Sequence, residues 1–368
     1  MDKLQTIIEL MNNRLLEKLG DEVDLIFLYG SFLRGNPHKY SDIDVSFVPV
    51  HADRWFSITV LVEEKLFDLY AMHWPTLENM AEFRNPSASV LLEHRIIYQR
   101  TPEAAARFTG LAGRLSANLL PEARPKMLRH AQELFQSTAY PFYLLRQAAE
   151  AEHILACLQQ AMAIYRTVLH CLAVVNQTCV DTRKLPQVLA LPKLPARFEE
   201  SVHNLLHANQ PAQLLAACET LLNTTHALLL TEQRIAAGPG EPFASRFDSA
   251  YPELKRDLQA ILLGCERRDP LEIRGSLVSL YHELLRGIAQ ASSGVDYNAF
   301  NSLQDYEQDF TALGFPALLP ALLAEDYPLL YQRCLEFDRQ LQTFLTGHGV
   351  ALNNFGSLDE LNRYLSDL

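Results

Sequence analysis

Cysteine pairs at metal-binding spacing, long apolar runs and an excess of positive charge are all missing from this sequence. The six cysteines (Cys157, Cys171, Cys179, Cys218, Cys265 and Cys334) never fall as Cys-x-x-Cys, and no histidine spacing matches them. That argues against a zinc site and for reduced, mostly buried thiols. No uninterrupted apolar stretch reaches the length of a bilayer crossing, so no membrane partner is expected. The opening Met1-Asp2-Lys3-Leu4-Gln5 lacks a basic region followed by an apolar core, so no signal peptide and a cytoplasmic location are expected. Lys and Arg number 32 against 44 Asp and Glu, a net charge of −12. A protein that follows nucleic acid along its phosphates normally has a basic face, so a nucleic-acid partner is not expected. A local basic pocket for a triphosphate stays open, and an acidic surface suits a small cationic acceptor.

What the chain does have is length and an ordinary globular balance. Its 368 residues, 48% hydrophobic and 21% charged, leave room for two or three domains with cores of their own. In residues 3–19, Leu4, Ile7, Ile8, Met11, Leu15 and Leu19 fall on one face at helical spacing. Residues 24–29 form a short apolar run ended by Gly30, the pattern of a buried strand. Residues 42–48 alternate as a strand with one polar face, 53–65 read as a helix, 66–73 as a third strand, 77–83 as a helix and 95–99 as a fourth strand. A small mixed α+β domain over residues 1–102 is expected.

Beyond Pro102 the sequence turns rich in Leu, Ala, Gln and Glu with helical periodicity, which predicts an all-α region. Helices are expected at 127–137, 141–177, 196–208, 211–231, 251–265, 270–291, 303–312, 316–323, 326–346 and 357–367. Gly238, Pro239, Gly240 and Pro242 mark a connection near 237–250 between one helical bundle, 103–236, and a second, 250–368.

The chemistry concentrates near the N-terminus. Residues two apart in a strand share a face, so Asp42 and Asp44 point the same way, about 7 Å apart along the chain. Two such carboxylates repel unless a cation lies between them, and magnesium favours carboxylate oxygens combined with substrate phosphates. Gly30 lets the chain turn sharply, and Ser31 opens a helical turn whose free N–H groups and hydroxyl suit phosphate oxygens. Arg34, one turn further on, reaches the same phosphates with its planar fork. Asp68 is a lone acid in Leu66-Phe67-Asp68-Leu69-Tyr70. If its strand lies beside that of Asp42 and Asp44, it completes a carboxylate triad able to hold metal or accept a proton.

Gly30-Ser31 followed by Asp42-Ile43-Asp44-Val45 and an acid on a later strand resembles the signature of the nucleotidyltransferase superfamily related to DNA polymerase β. The likeness is greatest to its minimal and aminoglycoside-type branch and covers roughly residues 20–100. It implies an α+β nucleotidyltransferase domain followed by helices. It also implies triphosphate binding at Gly30 and Ser31, magnesium at Asp42 and Asp44, and Asp68 as metal ligand or base. The expected reaction moves AMP from ATP, or a nucleoside monophosphate from another NTP, to a hydroxyl with release of pyrophosphate. A small acceptor such as an aminoglycoside-like antibiotic is favoured over a protein or tRNA. A nucleotide-binding regulatory module is the alternative of a different class, and an intact acid triad argues against it.

Elsewhere the ordinary structural reading prevails. Arg146 and His153 have a spacing found in some helical ribonucleases, but such pairs arise easily in any helix. Lys184 and Lys193 read as solvated loop lysines, and Glu133, Glu150 and Glu152 as solvated helix positions.

Overall fold

The computed structural model describes residues 3–30, 33, 42–51, 53, 57–62, 65–182, 184–295 and 312–366. The chain divides into two compact units, Met1–Leu230 and Thr231–Leu368.

The first unit begins with helix α1 (Lys3–Leu19), followed by strands β1 (Val23–Tyr29), β2 (Ile43–Pro49), β3 (Ser57–Val62), β4 (Lys65–Ala71) and β5 (His94–Gln99). The strands form one sheet in the order β3-β4-β2-β1-β5. Strands β2 and β4 run parallel, and the other neighbours are antiparallel, giving the small mixed sheet expected. One face packs Val23, Ile26, Leu28, Ile43, Val45, Phe47, Phe67 and Leu69 against Ile8 and Leu15 of α1. Burying each such side chain is worth about 1.5–3 kcal/mol, and on the opposite face Phe27 of β1 packs against Phe108, leaving the polar row of β2 and β4 beside it.

The expected helix at 53–65 is not formed. Residues 57–62 instead make the edge strand β3, every residue of which pairs with β4. The run Ile58-Thr59-Val60 explains the outcome: β-branched side chains are stiff at χ1 and favour a pleated surface once a partner strand is present.

Helix α2 (Trp74–Ala81) follows β4, and α3 (Pro102–Asn118), absent from the expected helices, follows β5. Thr101 caps α3 by accepting from the Ala104 N–H, with Pro102 in the first turn. Asp24, at the start of β1, accepts from Trp74 Nε1 at 3.1 Å and from both Nε and Nη2 of Arg100. This cluster ties α2 and the end of β5 to β1.

The rest of the first unit is helical: α4 (Arg124–Gln136), α5 (Ala139–Glu150), α6 (Ile154–Val175), α7 (Leu185–Leu189), α8 (Phe198–His207) and α9 (Pro211–Ala237) as far as Leu230. The single helix expected over 141–177 is two. Glu152 adopts a left-handed φ of 52°, its N–H bonds Ala149 O, and the His153 N–H bonds Ala148 O at 2.9 Å, a closed helix end. His153 then caps α6 by accepting from the Ala156 N–H. Neither glycine nor proline marks this break, so periodicity reads straight through it. By length and composition α6 could cross a bilayer, contrary to the expectation from uninterrupted runs. Most of it is buried, however, in a core with Leu145, Val202 and Leu221, as befits a central bundle helix.

The sheet domain is riveted to these helices at the end of α2. Asn118 Nδ2 donates to Ala81 O at 2.8 Å, and Lys126 Nζ bonds both Glu82 and Asn118. Phe83, buried at a left-handed φ of 59°, offers its carbonyl to Nε2 of His130 at 2.9 Å and Nε2 of His170 at 2.8 Å.

The second unit contains α10 (Phe243–Arg246), α11 (Ala250–Arg267), α12 (Pro270–Ser293), α13 (Leu319–Leu323), α14 (Tyr327–Gly347) and α15 (Leu358–Ser366). Its core joins Leu254, Leu258, Ile261, Leu280, Leu330 and Phe337. Within it Asp338 accepts from Tyr251 Oη at 3.0 Å and from Lys255 Nζ at 2.6 Å, which satisfies a buried charge. The helix expected at 303–312 lies almost wholly outside the described residues. All six cysteines are free, and burial pushes the thiols of Cys171, Cys179, Cys218 and Cys334 up to about 12, so they stay protonated.

Candidate active site

Strand register lines up one polar row across the sheet. Tyr29 of β1 pairs with His94 of β5 on one side and Asp44 of β2 on the other. Asp44 pairs with Asp68 of β4, and Asp68 with Thr59 of β3. Register partners project to the same face, and neighbouring strands lie about 4.8 Å apart, so Asp44 and Asp68 stand side by side. Asp42, two residues before Asp44, continues that side just outside β2. All three acids are half-buried.

Gly30 closes in on this row from the end of β1. Its φ is +85°, and a Cβ built there would overlap Asp44 Oδ2. Glycine is therefore required twice, for the left-handed turn and for the room it leaves the carboxylate. Ser31 and Arg34 lie outside the described residues.

Asp68 is oriented from the sheet edge, where Thr59 Oγ1 donates to its Oδ1 at 2.8 Å. On β2, the residue two past Asp44 is Ser46, fully buried, with Tyr70 of β4 as its register partner. The hydroxyls of Tyr29 and Tyr70 are hydrogen-bonded to each other across β2. Ser46 Oγ has no partner of good hydrogen-bond geometry, yet it lies close enough to both phenols to favour their ionised forms. Burial outweighs that and, with the Asp44 charge acting on both phenols, raises both above the ordinary tyrosine range, Tyr29 well above it, so both stay protonated. At the far end of the row, burial lowers the His94 imidazole, opposed by its bond to Leu91 O at 3.1 Å. A carbonyl only accepts, so Nδ1 carries the hydrogen in that bond.

Among the described residues, no three His, Cys, Asp or Glu side chains gather closely enough to form a ready-made metal cage. The donor set nevertheless suits a magnesium ion, which takes one or two carboxylates and completes its shell with water and substrate phosphates. The absence of a side chain at residue 30 is what leaves the Asp44 carboxylate room in this donor set.

The alternation that marks Asp42 and Asp44 also directs Ser46 to this face. Tyr29, Tyr70, Thr59 and His94 join it only through strand order, which no local pattern specifies.

Comparison with known proteins agrees with this architecture. Residues 8–97 match the nucleotidyltransferase domain family, and residues 132–235 match the KNTase (kanamycin nucleotidyltransferase) C-terminal domain. No curated protein matches the sequence. A crystal structure of a nucleotidyltransferase-like protein from Exiguobacterium sibiricum has 12% identity, covering 62% of this chain and 79% of that one, with a TM-score of 0.37, an overlay too loose to argue from. The two domain matches, in succession along one chain whose first domain is a mixed sheet and whose next is helical, make this protein a nucleotidyltransferase of the kanamycin nucleotidyltransferase and DNA polymerase β-like superfamily.

Proposed function

We propose that this protein transfers AMP from ATP to a hydroxyl of a small cationic acceptor, releasing pyrophosphate, with magnesium held by Asp42 and Asp44 and supported by Asp68. The observation that carries this reading is the side-by-side register of Asp44 and Asp68 beneath the Gly30 turn. When bound there, magnesium supplies charge neutralisation at the transferring phosphoryl group.

The protein's own residues do the rest. Gly30, with Ser31 and Arg34, holds the outgoing phosphates through backbone N–H groups, a hydroxyl and a guanidinium. Asp68, with one oxygen engaged by Thr59, keeps the other for the hydrogen of the attacking hydroxyl. Residues 1–102 form the catalytic domain, residues 103–236 a helical bundle that selects the acceptor, and residues 250–368 a second bundle. The net charge of −12 favours a cationic acceptor over RNA.

Pyrophosphate release from each of the four common NTPs, measured with magnesium and with panels of aminoglycosides, proteins and tRNA, tests the reading. ATP with a small hydroxylated amine is the expected pair. An Asp44→Asn variant should keep its thermal midpoint and lose transfer. Full activity in that variant overturns the proposal.

A further inference from the structure

Tyr29 and Tyr70 come from strands that do not touch: β2 lies between β1 and β4. Tyr29 stands opposite Asp44 and Tyr70 opposite Ser46, yet their hydroxyls meet. The two rings therefore close over β2 between Asp44 and Ser46. Ser46, fully buried beneath the junction, is small enough to let them pass, and a larger side chain there would block the contact. The rings are fixed in turn. They meet edge to face with centroids 6.3 Å apart, and Tyr29 packs on Phe27, which packs on Phe108 of α3.

This bridge walls in Asp44. The backbone of Gly30 approaches its carboxylate so closely that no Cβ fits, and Tyr29, one end of the bridge, is its register partner on β1. Joining two phenols by one hydrogen bond spends one hydroxyl hydrogen and leaves a second to donate. The electrostatic influence of Asp44 reaches both hydroxyls. A carboxylate confined in this way loses little rotamer freedom when it takes a cation, and preorganisation of that kind appears as affinity.

We propose that Tyr29 and Tyr70 are positioning residues that act as one unit, locking the Asp44 carboxylate in the orientation that receives a divalent cation. The proposal rests on the metal-binding reading given under Proposed function and goes beyond it by assigning a role to two residues outside the acid triad.

Three variants test it: Tyr29→Phe, Tyr70→Phe and the double substitution, each of which keeps both rings and removes only hydroxyls. Manganese binding to the nucleotide-free protein, followed by electron paramagnetic resonance of the free ion, is the primary readout, with the thermal midpoint recorded in parallel. Each single variant should bind manganese about tenfold more weakly, and the double variant no more weakly than either single one, because one lost hydroxyl already breaks the bridge. Unchanged manganese affinity in both single variants overturns the proposal, as do losses that simply add in the double variant. Wild-type protein that binds no manganese overturns the metal-binding reading together with this one. Normal wild-type binding with unaffected variants overturns this inference alone.

Discussion

The backbone of Gly30 lies against the carboxylate of Asp44 so closely that a side-chain carbon on residue 30 would overlap Oδ2. Under the proposed function, Gly30 therefore borders the carboxylate proposed to hold the metal as well as the turn proposed to hold phosphate.

Gly30→Ala should cost about 1–3 kcal/mol of stability, from the φ of +85° and the displaced carboxylate, and should reduce transfer more than about a hundredfold. Gly110, in the middle of α3, has open space around it, with nothing within 4 Å of where a Cβ would stand. Gly110→Ala should therefore raise stability by about 0.5–1 kcal/mol and leave transfer unchanged. Thermal melts and pyrophosphate release on both variants separate a local effect from a general one.

Neutralising one of two facing carboxylates removes a like-charge repulsion. Asp68→Asn keeps an oxygen to accept the Thr59 hydroxyl, so its thermal midpoint without divalent cation should equal or exceed that of the native protein. Transfer should nevertheless fall more than about a hundredfold, since an amide neither binds magnesium well nor accepts a proton. A clear fall in midpoint would show that the Asp68 charge is structural.

Thr59→Val preserves the β-branched shape of an exposed edge residue and deletes only the donor to Asp68. Transfer should drop about tenfold with the midpoint nearly unmoved, the scale of one hydrogen bond to a charged group. Steady-state kinetics should place the loss in kcat, because in the proposed reaction the oriented carboxylate acts on the attacking hydroxyl.

His170 predicts how stability responds to acid. Burial, with a smaller effect from His130, pushes its imidazole down to about 4 against the bond to Phe83 O. A folded value below the ordinary imidazole value of about 6.5 means that the unfolded chain takes up the proton first. The stability tied to neutral His170 is full above about pH 6.5 and is lost as pH falls toward 4, amounting to about 3 kcal/mol. His170→Gln retains a donor for the Phe83 carbonyl, so its midpoint should fall less steeply between about pH 7 and 4. An identical slope in both proteins would remove His170 from the acid response.

Local sequence pattern determined the elements whose cause is local. The apolar stripe of residues 3–19 gives α1, apolar runs and alternation give β1 and β2, Asp42 and Asp44 could be singled out by that alternation, and Asp68 as a lone acid among apolar strand residues. Tertiary structure decided the rest. Residues 53–65, read as a helix, contain the strand β3 because β4 offers a pairing edge, a fact about partners rather than composition. The break at Glu152 and the left-handed Phe83 need backbone conformations usually given to glycine, and they hold through contacts made by residues distant in sequence or hidden in the helix end. The site follows the same division. Its acids are written in the sequence, but Thr59, Ser46, Tyr29 and Tyr70 reach them only because the sheet orders its strands β3-β4-β2-β1-β5, and strand order is set by which faces and edges can be buried together.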